Sequence, residues 1–144
     1  MKNKKVIIIV GIIVLFILVQ RIRFLVDQSE APTEESAPIE EITESLDGTV
    51  GENEKITNVS IGAGKELTIT VDLSQAEVPF DLSDLAITRA GSITDNILDH
   101  EEYDKYWDTI IIDFGEVGTV TRSQKDIIEN DYGMRCFEIY DLDQ

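Results

Sequence analysis

The chain has 144 residues, 42% of them hydrophobic and 28% charged, with a formal net charge of -17. That length leaves room for one domain beside an apolar N-terminus. The acidity removes the main electrostatic drive for binding nucleic acid or an anionic lipid surface. A single cysteine, Cys136, excludes an intramolecular disulfide.

The charge is unevenly spread. Residues 1–26 carry five Lys/Arg and no acid, residues 27–55 carry ten acids and one lysine, and residues 56–144 carry nineteen acids and six bases. Val6–Val19 is an unbroken apolar run behind Lys2, Lys4 and Lys5, and Phe24-Leu25-Val26 resumes it beyond Gln20, Arg21 and Arg23. Fourteen residues alone suit a signal-peptide core. Yet the small-residue cleavage candidates at Ala31 and Ala37 are each followed by proline. Val6–Val26 as a helix is about 30 Å long, the thickness of a bilayer core. The expectation is an uncleaved transmembrane anchor over 6–26, with Arg21 and Arg23 snorkelling to the headgroups. The three lysines place residues 1–5 in the cytoplasm and the remainder outside, at the cell membrane.

Residues 27–55 read as an acidic flexible linker rich in Glu, Ser, Thr and Pro. Within it Ile39, Ile42 and Leu46 make a one-sided helical pattern over Pro38–Leu46. Two readings stand: a transient turn, or a short helix that docks on a partner or on the domain.

From Ile56 the period changes. Ile56–Ile61 is a weak strand, and Leu67, Ile69, Val71 and Leu73 alternate with Glu66, Thr68, Thr70 and Asp72 as a half-buried one. Gly62-Ala63-Gly64-Lys65 between them is a hairpin turn rather than a dinucleotide fingerprint, because a strand follows it. After a loop over Ser74–Asp81, a helix is expected to open at a Ser83 cap, with Leu82 and Ile87 as a hydrophobic staple. Leu82, Ala86, Ala90, Ile93 and Ile97 share its apolar face. Ile110-Ile111-Ile112 predicts a central strand buried on both faces. Ser123 and Asp126 have capping-box spacing for a short second helix through Ile128, and a last strand is expected over Arg135–Asp141.

Together these give an α+β chain: one transmembrane helix, an acidic disordered linker, and a β-β-α-β-α-β domain over 56–144 with one mainly antiparallel sheet packed by helices.

No catalytic signature is present, and no catalytic, metal or cofactor-binding residue is assigned. His100 is the only histidine, so no second one exists to complete a nucleophile–base pair. Zinc would need more His and Cys than the one of each. The acids Asp99, Glu101, Glu102, Asp104 and Asp108 suggest calcium, without the spacing of an EF-hand loop. Tyr103, Tyr106 and Trp107 share a face if the helix continues through them, and are the candidate contact patch for a protein or cell-wall partner. The functional expectation is a membrane-anchored extracytoplasmic interaction module. The alternatives are a small carboxylate-dependent hydrolase and a calcium-binding surface domain.

Overall fold

A computed structural model describes residues 36–143, with Pro79, Ile139 and Tyr140 excepted. The anchor expected at 6–26 lies outside these residues. Among the described residues, no helix is long and apolar enough to cross a membrane.

The fold is α+β, in the order α1 (Ile39–Ser45), β1 (Lys55–Ile61), β2 (Glu66–Asp72), α2 (Leu82–Asp99), β3 (Thr109–Asp113), β4 (Thr119–Ser123), β5 (Ile128–Glu129) and β6 (Arg135–Cys136). Strands β1–β4 form one sheet in sequence order. The two hairpins, β1–β2 and β3–β4, are antiparallel, but β2 and β3 pair in parallel, from Glu66 opposite Thr109 to Thr70 opposite Asp113. The sheet is therefore mixed. The reason lies in α2: its 18 residues span about 27 Å, enough to return the chain along a seven-residue strand of roughly 23 Å. Strand β3 thus starts at the same end as β2.

The alternation in β2 is as the sequence indicates, with Leu67, Ile69 and Val71 buried. They join Ile110, Ile112, Val120 and the α2 residues Leu85, Ala86, Ala90, Ile93 and Ile97 in a single core. The opposite sheet face is polar, with the cross-strand row Ser60, Thr68, Ile111, Thr121. Ile111 consequently stays half-exposed. Strand β3 is central as expected, but buried on one face only.

Four details depart from expectation. Helix α2 is capped by Asp81, whose Oδ1 accepts from the Ser83 N–H at 2.9 Å. Leu82 therefore lies inside the helix, not before it, and is exposed. The Ser123–Asp126 capping box forms, yet it closes only the single 3-10 turn Gln124–Asp126. The β-branched pair Ile127-Ile128 then leads into β5 instead of continuing a helix. Among the described residues the last strand is Arg135–Cys136, paired with β5 in a separate ribbon, and Asp143 bridges to Thr119; Ile139 and Tyr140 of the expected strand lie outside them.

The fourth concerns residues 36–55 of the stretch expected as a flexible linker; residues 27–35 lie outside the described residues. From Ala37 onward the chain belongs to the compact unit. Ile42 and Leu46 of the short helical pattern are fully buried in the core. The composition is that of a tether, but two large apolar side chains one helical turn apart outweigh it. The Gly51–Glu54 turn is fastened as well. The Glu54 carboxylate accepts from the Gly51 N–H at 2.9 Å and takes a two-pronged hydrogen bond from the Arg89 guanidinium on α2.

Candidate functional site

The carboxyl ends of β2 and β3 lie side by side, because those strands are parallel and in register. The chain leaves β2 through Asp72-Leu73-Ser74 and leaves β3 through Phe114 into the 3-10 turn Gly115–Val117. Helix α2 begins nearby with Leu82. These three ends enclose a cleft of about 510 Å³, within the roughly 300–1,000 Å³ typical of ligand pockets. Val71, Leu73 and Phe114 are the buried part of its lining, Val117 is half-buried and Leu82 exposed. Asp72, Ser74 and Glu116 bring polar groups, and Thr57 and Thr70 complete it on the β1 side.

The turn after β3 is locally determined. Asp113 Oδ1 accepts from the Gly115 N–H at 2.8 Å, and the Phe114 N–H donates to the Gly118 carbonyl at 3.0 Å. Gly118 has φ 134°, and a Cβ there would stand 3.1 Å from the Asp143 carbonyl oxygen. Only glycine fits both demands.

Asp72 is fixed in the same manner, its Oδ1 accepting from the Ser74 N–H at 2.8 Å. The hydroxyl and the backbone N–H of Ser74 hold its carboxyl below the usual carboxylate range. Both contacts favour its ionised form. Asp95 has its carboxyl pushed up by desolvation and by the like charge of Asp99, but it stands on α2 away from the cleft lining. The cleft itself carries two carboxylates, Asp72 and Glu116.

The aromatic trio is placed differently from its expected role. Tyr103 is 5% exposed and Trp107 0%, so both belong to the core, and only Tyr106 keeps partial exposure. The segment is a 3-10 helix, Glu101–Tyr106, that ends before Trp107, whose extended backbone (φ -136°, ψ 149°) takes its ring off the helical face. Lys105 lies over the Tyr106 ring, 4.8 Å from its centre.

Two acids of the same stretch, Asp104 and Glu102, have side-chain partners. Asp104 Oδ2 accepts from Arg135 Nη2 at 2.6 Å, and Arg135 Nη1 donates to the Leu98 carbonyl at 3.2 Å. His100 Nδ1 lies 3.0 Å from Glu102 Oε1, and its ring stacks on Tyr103. Among the described residues, no three His, Cys, Asp or Glu side chains converge as metal ligands. The stretch fastens the end of α2 to β6; the cleft lies at the other end of α2. Sequence periodicity could not find the cleft, because it depends on β2 and β3 ending together. No family model, curated protein or solved structure matches the chain.

Proposed function

We propose that the protein is a membrane-anchored accessory module, held by residues 6–26 with its N-terminus in the cytoplasm, which binds a protein partner outside the cell through the cleft at the ends of β2 and β3. The observation that carries this reading is the cleft itself. It has a buried apolar floor of Val71, Leu73 and Phe114, and on its rim the Asp72 carboxyl, lowered by its hydrogen bonds from Ser74. An apolar floor with a few polar groups at its rim is the make-up of a recognition site. The anchor reading rests on the length of the apolar segment and on its lysines.

Two experiments test it. A reporter active only outside the cytoplasm, fused after Gln144, should be active; an inactive fusion overturns the topology. A photo-crosslinking side chain at Glu116 should capture a discrete partner in cells, and the same group at Glu101 should not. Identical adducts from both positions would remove the cleft from consideration.

A further inference from the structure

Resting on the reading above, the question is what chemistry the cleft accepts. Its floor is apolar, with Phe114 only 4% exposed, and its rim carries Asp72 from the end of β2 and Glu116 from the turn after β3. Among the described residues no Lys, Arg or His lines it; Lys55, opposite Asp72 in the β1–β2 ladder, is the cation whose charge reaches that carboxylate, and Glu116 has no such neighbour across the ladder. The surrounding chain over 56–144 adds nineteen acids against six bases. An anionic ligand or a second copy of this acidic chain would be repelled, whereas a cation on an apolar body is attracted by the rim and the floor together.

The β1 side of the cleft narrows the choice further. Strand β1 is at the edge of the sheet, and its register breaks between Ile56 and Asn58, where Thr57 faces the cleft. A ligand leaving the cleft on that side meets a strand edge, whose backbone groups pair with an extended chain and with no free amine.

We infer that the cleft seats an extended peptide segment of a partner protein, with an apolar side chain on the Val71–Leu73–Phe114 floor and a lysine or arginine directed to Asp72 and Glu116.

The test uses the full chain in phosphatidylcholine nanodiscs, with empty nanodiscs as the blank. Three fluorescein-labelled pentapeptides are titrated by anisotropy: Lys-Leu-Lys-Leu-Lys, Ser-Leu-Ser-Leu-Ser and Glu-Leu-Glu-Leu-Glu. The lysine peptide should bind saturably, at least tenfold tighter than the glutamate peptide. The double variant Asp72→Asn/Glu116→Gln should weaken it about fivefold. Asp99→Asn/Glu101→Gln removes the same charge at the far end of α2, about 27 Å away along the helix, and should leave binding unchanged. Leu82→Ala, at an exposed position, should weaken the serine and lysine peptides alike.

Equal loss in both double variants would mean that overall charge alone attracts the peptide, and would overturn the inference. Free cadaverine binding as tightly as the lysine peptide would overturn the assignment to a peptide. If the serine peptide binds as well as the lysine peptide, the charge preference falls while the binding module stands. If none of the three peptides binds, both fall.

Discussion

At the scale of single residues, two sites should respond to mutation in ways their sequence context does not announce. Burial raises the Glu54 carboxyl, but hydrogen bonds from Arg89 and the Gly51 N–H, with the Arg89 charge, outweigh that and hold it below its ordinary 4.5. A carboxyl lowered in the folded state contributes stability that is complete above the unfolded value and lost as pH falls through the folded one. Urea midpoints of the wild type should therefore drop between pH 6 and pH 3 more steeply than those of Glu54→Gln. At pH 7, Arg89→Ala should cost about 1–2 kcal/mol, since the pair is only partly buried. The second site is Trp107, fully buried and with no hydrogen-bond partner for Nε1 among the described residues. Trp107→Ala should lower stability by about 3–5 kcal/mol, and Tyr106→Ala by well under half of that in the same chemical denaturation. Comparable losses would mean that the two aromatics share one environment. Nothing in the spacing of Tyr103, Tyr106 and Trp107 distinguishes core from surface. The helical period that groups them stops short of Trp107, whose backbone is extended.

At the scale of elements, the sequence is most informative where one periodicity governs a whole segment. Strand β2 and the face Ala86, Ala90, Ile93, Ile97 of α2 could be read directly, since alternation and the 3.6 period each specify a buried side. It is least informative where composition and pattern conflict. The acidic stretch before β1 resembles a tether in bulk, and only the spacing of Ile39, Ile42 and Leu46 hints at the docked helix α1. If α1 is part of the core, Ile42→Ala and Leu46→Ala should each cost about 2–5 kcal/mol, read as a fall in the thermal or urea midpoint. Changes of a few tenths of a kcal/mol would return that segment to the role of a linker. Of the short β5–β6 ribbon only the start of β6 is legible, and for a related reason: two-residue strands carry no period. Their turn is set by Asn130, whose Oδ1 accepts from the N–H groups of Tyr132 and Met134, leaving Tyr132 88% exposed.

At the scale of the molecule, like charge is the dominant unfavourable field. Nineteen acids against six bases over 56–144 repel one another across a small surface, and salt screens that repulsion over a Debye length of about 8–10 Å. The melting temperature should accordingly rise as sodium chloride goes from 10 to 150 mM. A fall would mean that local ion pairs such as Arg89–Glu54 outweigh the net field. The cleft also belongs to this scale. It exists only because two strand ends and a helix start meet, which no local stretch of sequence encodes.

The parallel seam between β2 and β3 has a kinetic counterpart. Each flanking hairpin closes over a short loop, but the seam joins Leu67 to Ile110 and Ile69 to Ile112, contacts that wait until α2 has carried the chain across. Those non-local pairings should set the folding rate. They should also be the last to open, so the amides of Leu67, Ile69, Ile110 and Ile112 should outlast those of β1 and β4 in native-state hydrogen exchange. Faster exchange in the seam than in the outer strands would place the most stable part of the domain elsewhere.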